Sequence, residues 1–452
     1  MSELSIIARH ALTVLAGQLA IMAFGVTDTI VAGRYSPAAL AALSVGSAVF
    51  VSVYISLMGI LQALLPLWSE QRGAGQLPAM GRSLRQSMYL CLGICVVGMT
   101  TLLSPDALLR WTDVPQALQA DVRDYLAILA WALPPAVLFR VYSTLNQSLG
   151  RPQLVTWLQV AALVLKLPLS IWFTFGGAGL PALGVAGCAW ATLLVNYTLL
   201  GLGLWLMRTQ ALYNPLQLWQ RMERPDRAQL GHFLRLGLPA GLAILVEVTS
   251  FTLMALFVAR QGNLAAASHQ IAANLAAVCY MVPLSLAIAT SARVSWWRGA
   301  GNELKARQLV LLGWRLAALM GLLLTALLLL SRHHLAAVYT SDAQVAALTA
   351  SLLLWVAAYH AADSIQTFCI FVLRCYRITV APLLTYCLLL WGGGLAGGYW
   401  LAYGGQGPWS GTPTPAPFWA MSAAALGITA LAFSALLWRT LRAHSAQPAP
   451  IS

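Results

Sequence analysis

Three carboxylates stand in stretches of this sequence where a carboxylate has no ordinary place. Glu247 lies near the middle of residues 236–260, LGLPAGLAILVEVTSFTLMALFVAR, with Thr249, Ser250 and Thr252 after it and Phe251 on its own helical face at i+4. Asp363 lies in another apolar run, with Tyr359 one turn before it and Gln366 and Thr367 one turn after, so that the four share a polar strip. Asp28 sits in VTDTIVAGR, flanked by Thr27 and Thr29. A carboxylate at the centre of a bilayer costs about 2.5–3.5 kcal/mol on insertion scales. Three of them together approach the whole stability of a domain, about 8–10 kcal/mol. Groups retained at that cost are expected to bind a proton or a small cation such as Na⁺. The plainer alternative is that each is pinned by a neighbouring helix and serves only packing.

Other ionisable residues qualify this picture. Lys166 falls mid-span in VLKLPLS, with Ser170 one turn on, and an ammonium so placed needs a counter-ion. Asp28, in the same half of the chain, is the natural candidate, although snorkelling to the interface would also account for Lys166. Arg140 lies nearer the end of its span and is expected to snorkel. His269 with Gln270, and His360 beside Tyr359, read first as hydrogen-bonded packing residues; His333-His334 falls in an expected outer loop. No glycine-rich phosphate loop and no nucleophile–base arrangement appears, so an enzyme and a bound cofactor are not expected.

The elements that position these residues follow from composition. The chain has 452 residues, 60% hydrophobic and only 9% charged, with a mean hydropathy of +0.75. Soluble chains carry about a quarter charged residues, so this is read as an all-α polytopic membrane protein. Hydropathy places twelve transmembrane helices near 11–31, 39–68, 86–109, 123–148, 154–175, 183–207, 232–259, 264–296, 308–330, 347–373, 380–403 and 417–438. Pro66, Pro134, Pro135, Pro168, Pro239 and Pro283 fall inside them and are expected to kink. The first span has no A-x-A cleavage site after it and reads as a retained span, not a signal.

The net charge of +13 is spread over short loops, which points to topology and an anionic lipid surface and not to nucleic acid. With the N-terminus inside, nineteen Lys and Arg fall on the inner side. Arg34, Arg110, Arg123, Arg260 and Arg332 fall on the outer side. Both termini are therefore expected in the cytoplasm, and the membrane is expected to be the cell inner membrane. The seven cysteines lie in apolar spans without CxxC spacing and read as core residues, with no disulfide framework or metal site.

The chain also repeats. A shift of 226 lays Gly73-Ala74-Gly75 on Gly299-Ala300-Gly301, Arg34 on Arg260, Leu126 on Leu352 and Arg151 on Arg377. Two six-helix lobes related by a parallel internal repeat follow: 1–210 and 231–440, with a cytoplasmic linker at 211–230 and a tail at 441–452. Such pairs rock about a central cavity in transporters. The acids do not repeat, since Asp28, Glu247 and Asp363 fall on Met254, Ile21 and Val137. That separates their placement from the demands of the fold.

VTDTIVAGRYSPAALAALSVG, MGILQALLPLWSEQRGAGQ, the 236–260 stretch and ASHQIAANLAAVCYMVPLSLAIATSARV together resemble the multidrug and toxic compound extrusion (MATE) family, the Glu247 block its NorM branch. The likeness covers nearly the whole chain. It implies a V-shaped bundle that expels cationic, often aromatic compounds against an inward flow of H⁺ or Na⁺, as a monomer contacting small-molecule substrates and lipid. By position it implies cation or proton coupling at Asp28, Glu247 and Asp363 with Tyr359, a possible Na⁺ site at Glu247 and Asp363, and cavity or tuning roles for Lys166, Ser170, Gln270 and Phe251. Lys166 and Ser170 stand where NorM relatives carry two asparagines, and LRCYRIT lacks the glycine and acid usual in LRGYKD. Two rival readings remain open at this point. A flippase of lipid-linked saccharides would want several cations lining its cavity, and a membrane-embedded transferase would want a catalytic cluster in a surface loop.

Overall fold

A computed structural model of the chain describes residues 2–106, 116–177, 179–404 and 414–445. Arg110 and residues 446–452 of the expected tail lie outside them. Twelve helices are long and apolar enough to cross a membrane. They are α1 (Glu3–Tyr35), α2 (Pro37–Gly73), α3 (Leu77–Leu103), α4 (Leu118–Ser148), α5 (Pro152–Phe175), α6 (Val185–Thr209), α7 (Arg227–Ala259), α8 (Asn263–Gly299), α9 (Glu303–Tyr339), α10 (Ala343–Cys375), α11 (Val380–Tyr403) and α12 (Ala416–His444). β-Pairing among the described residues amounts to one isolated antiparallel bridge, Gly177 to Leu180.

Most helices overrun the hydropathy limits, because hydropathy marks the part fit for hydrocarbon while backbone bonding continues to the next cap. Thus α9 carries His333 and His334 within helix, not in a loop, and stops only at Thr340. Asp342 then opens α10 by accepting from the backbone N–H of Gln344 (2.8 Å) and Val345 (3.1 Å). Ser36 opens α2 in the same way, accepting from Ala39 at 3.0 Å, with Pro37 in the first turn.

Among the prolines expected to kink, Pro66 accompanies a break in the assigned helix. α2 divides into Pro37–Gln62 and Leu64–Gly73, where the ring of Pro66 meets the carbonyl four residues before it. Pro134, Pro135, Pro168, Pro239 and Pro283 lie within unbroken helices. α11 has an irregularity of another kind: Cys387–Ala396, CLLLWGGGLA, is wound as a π-helix.

The chain divides into two compact units, Thr13–Gly241 and Leu242–Ser452 with Met1–Leu12, so the division falls inside α1 and α7. In the first unit α4 is central. Two thirds of its apolar window is buried (67%, against 28% for α5), and it packs on α2, α3 and α6. In the second unit α10 lies against α8, α9 and α12, which buries Tyr359, His360 and Asp363 together. Glu3 joins this unit through a fork to Arg293, Nε to Oε2 and Nη2 to Oε1 both 2.7 Å. Outward positions such as Leu330, Leu431 and Trp157 are large, apolar and exposed, as a lipid-facing surface requires.

Matching helix ends recur in the two units. Ala74, Gly75 and Gln76 bond back to Glu70, Arg72 and Gln71, with Gly75 at φ 71°. Ala300, Gly301 and Asn302 bond back to Trp296, Arg298 and Trp297, with Gly301 at φ 73°. The positive φ is why glycine stands at 75 and at 301. At the end of α4 and of α10 the turn itself runs at a shift of 227: Gly150 (φ 68°) corresponds to Arg377 (φ 61°). The arginines of the first pair of ends reach these second turns, Arg72 donating to the carbonyl of Ser148 and Arg298 to that of Cys375.

The segment between α6 and α7 is docked onto its own unit. It begins with a 3₁₀ turn, Ala211–Leu216. Tyr213 donates to Asn146 Oδ1 (2.8 Å), Arg85 Nε to Glu223 Oε2 (3.0 Å), and Tyr89 to the carbonyl of Glu223 (2.8 Å). Gln86 both donates to the Arg224 carbonyl and accepts from the Asp226 N–H. Gly81 makes the approach possible, since a Cβ there would lie 1.7 Å from the carbonyl oxygen of Leu216.

Candidate functional site

In the second unit Asp363 is almost fully buried (1% exposed) and is held from its own helix. Gln366 Nε2 donates to Oδ1 at 2.8 Å and Thr367 Oγ1 at 3.3 Å, as the shared strip predicts. The hydroxyl of Tyr386, on α11, donates to Gln366 Oε1. Asp363 Oδ2 has no hydrogen-bond partner. His360 Nδ1 lies 3.4 Å from it, close enough for charge to matter but not aligned as a bond. The carboxylate therefore keeps one oxygen anchored and one open.

Glu247 is half-buried on α7, with no hydrogen bond or ion pair to any described residue. The charges that act on it are those of Asp363 and Arg374. Its helix is fixed by Trp391 Nε1, which donates to the carbonyl of Val246 at 3.1 Å. The threonines beside it bond their own helix, Thr249 to Leu245 and Thr252 to Val248, so their protons are committed.

One turn beyond Glu247, Phe251 meets Tyr359 edge-on at 5.8 Å between ring centroids. Both meet Trp419 of α12, at 6.1 and 5.9 Å. Trp419 Nε1 donates to His269 Nδ1 at 3.2 Å, which gives this buried histidine a packing role. Tyr359 thus packs in an aromatic cluster within reach of the charges of Asp363 and Glu247. A second phenol, Tyr386, is coupled to the acid through Gln366. Gln270 is exposed and makes no hydrogen bond to a described residue. Arg374, at the end of α10, is buried over the ring of Phe371 at 4.6 Å, with one Nη unpartnered.

In the first unit Asp28, Lys166 and Ser170 come together. Lys166 is completely buried, its Nζ 2.8 Å from Asp28 Oδ1, and Ser170 Oγ donates to the same oxygen at 3.1 Å. Lys166 also donates to the carbonyl of Cys188 (3.0 Å) and to Thr192 Oγ1 (2.6 Å), both on α6. Thr27 and Thr29 bond back to Ala23 and Gly25 and take no part. Arg140 is half-buried, its Nε without a hydrogen-bond partner. Among the described residues no cluster of His, Cys, Asp and Glu suits a resident metal, and the seven cysteines are free thiols.

Thr192, the Cys188 carbonyl, Tyr386 and Trp419 were not marked by the sequence. All are uncharged and ordinary in apolar spans, and the carbonyl belongs to every residue. A polar residue one turn from the small Cys188 was the one available signal for Thr192.

A family model described as MatE matches residues 14–172 and again 239–400. The chain is 36% identical over 433 residues to a probable multidrug resistance protein NorM of Aromatoleum aromaticum, covering 96% of this chain and 93% of that protein. It is 32% identical over 428 residues to multidrug resistance protein PmpM of Pseudomonas aeruginosa, covering 92% and 87%. In fold it is similar to the Vibrio cholerae MATE transporter VcmN in its bent form, at a TM-score of 0.84, 19% identity and 97% coverage of each chain. The eukaryotic MATE transporter AtDTX14 gives a TM-score of 0.85 at 18% identity, covering 98% of each.

Proposed function

The chain belongs to the MatE family, and on that footing we propose that it exports cationic, often aromatic compounds in antiport with H⁺ or Na⁺. It is an integral multi-pass membrane protein and a multidrug efflux transporter, not an enzyme. The supporting observation is the pairing, within one unit, of two incompletely satisfied acids with an aromatic cluster. Phe251 is the partly exposed ring of that cluster, backed edge-on by the buried Tyr359 and Trp419, and offers aromatic surface to a flat organic cation. Glu247 and the open oxygen of Asp363 supply the negative charge.

In this reading ion and substrate compete for the same carboxylates, or stabilise different states of the bundle. The difference in their affinities for the two states drives the cycle. H⁺ is favoured over Na⁺ because the polar atom nearest the open Oδ2 of Asp363 is a nitrogen, His360 Nδ1 at 3.4 Å, whereas hard cations need several oxygen ligands. The saccharide-lipid alternative is disfavoured because it would need several cavity cations, and Lys166, one of the two available with Arg140, is engaged by Asp28. The charge pattern supports an orientation with both ends in the cytoplasm.

Efflux of ethidium from vesicles under an imposed pH or Na⁺ gradient tests the coupling. Glu247→Gln and Asp363→Asn are each expected to slow gradient-driven efflux at least about tenfold, about 1.4 kcal/mol on the barrier. Normal transport by both variants would remove these acids from the mechanism, and no response of the wild type to either gradient would remove antiport.

A further inference from the structure

The acid of the first unit is neutralised differently from those of the second. An ammonium has three N–H donors, and Lys166 finds three acceptors: Asp28 Oδ1 (2.8 Å), Thr192 Oγ1 (2.6 Å) and the Cys188 carbonyl (3.0 Å). Thr192 gives its own proton to that carbonyl at 2.9 Å, which leaves its lone pairs for the ammonium. A carboxylate, a hydroxyl and a carbonyl are also the ligands a hard cation would seek. Here Nζ occupies their common focus and cannot diffuse away.

We propose that Lys166 is a tethered cation filling the acid site of the first unit, so that Asp28 exchanges neither H⁺ nor Na⁺. Transported ions then pass only through Glu247 and Asp363. Neither of these forms an ion pair with Arg374 or any other Arg or Lys among the described residues. The groups facing Asp28 are Lys166 and Ser170 from α5, Cys188 from α6 and Tyr125 from α4. A thiol and a phenol are uncharged near neutrality, so Lys166 is the charge that governs Asp28.

The consequence for the transport cycle rests on the antiport reading, but the occupancy of the site can be measured without transport. Infrared difference spectra of the full-length protein in lipid nanodiscs, between about pH 8 and about pH 5 where buried carboxylates titrate, report protonated carboxyls through their C=O stretch. The wild-type difference spectrum is expected to match that of Asp28→Asn/Lys166→Met. Lys166→Met alone should gain one carboxylic-acid band, or one bound radioactive Na⁺ per chain in a parallel binding measurement, and the double variant should lack both. An acid band of the wild type that disappears in the double variant would overturn the proposal. So would a Lys166→Met protein, shown folded by its melting curve, that gains neither proton nor Na⁺. Failure of antiport itself would appear separately, as wild-type efflux indifferent to both gradients while the spectra behave as stated.

Discussion

Gln366 holds Asp363 by one oxygen, with Nε2 donating to Oδ1 at 2.8 Å, and is itself oriented by the Tyr386 hydroxyl on its amide oxygen. An amide left to itself can turn over; the phenol fixes which end faces the acid. Tyr386→Phe leaves a buried amide oxygen without its donor, which costs about 1–3 kcal/mol. It should lower the melting temperature, and Gln366→Ala, which leaves Asp363 Oδ1 only the longer bond from Thr367, should lower gradient-driven efflux further. If Tyr386→Phe melts and transports as wild type does, the relay from α11 to the acid has no weight.

The Asp28–Lys166 pair predicts a pattern of non-additivity. Removing one partner leaves a buried charge uncompensated, about 3–5 kcal/mol, whereas replacing both with apolar or neutral groups is often neutral. Asp28→Asn should therefore destabilise the protein more than Asp28→Asn/Lys166→Met does. Melting curves of the singles and the double check this, and a double that equals the sum of the singles would contradict it.

Glu223 ties the segment between the lobes to α3. The hydrogen bond from Arg85 holds its carboxyl down, to about 2. A depressed folded value contributes stability above the ordinary carboxylate value of about 4.3 and loses it as pH falls through the folded one. Hydrogen exchange of residues 217–226, compared between wild type and Glu223→Gln, should show a protection ratio constant above about pH 5 and collapsing toward unity near about pH 2. A ratio of unity at neutral pH would mean that the contact does not fasten the segment.

Gly81→Ala places a methyl group where the Leu216 carbonyl stands, 1.7 Å away. That atom is backbone and cannot turn aside, so the 3₁₀ turn must lift, at about 1–3 kcal/mol for an overpacked contact. Exchange at residues 211–217 should rise while the α4 core stays protected. Unchanged exchange there would show that the turn has room to move.

The sequence disclosed charge in the wrong medium, and that was enough for much of the site. Glu247, Asp363 and Tyr359 were marked because apolar surroundings make polar residues conspicuous, Phe251 because it shares the face of Glu247 at i+4, and Lys166 because an ammonium in oil demands a partner. Gln366 and Thr367 followed from helical spacing. What could not be read was the reverse case, a group that blends into its surroundings. Trp419 and Tyr386 come from helices distant in sequence, and the Cys188 carbonyl has no letter of its own. Gln270 was conspicuous by type and is exposed, with no hydrogen bond to a described residue. The repeat marked both helix ends correctly at Gly75 and Gly301, but at Arg377 residue identity and backbone geometry part by one position. There the second unit places an arginine in the left-handed region that glycine fills in the first.

The wide winding of Cys387–Ala396 bears on Glu247 through Trp391, whose indole grips the carbonyl immediately preceding that acid. Passing from i→i+5 to i→i+4 bonding exchanges one backbone bond for another, with three consecutive glycines at 392–394 offering no side chains to obstruct the change. Tightening the coil would lengthen α11 and swing the indole off its hold, freeing the turn that carries the carboxylate. A single helix would thus act as clasp and spacer at once, and a second captured conformation with that decapeptide wound as ordinary α-helix would be its signature.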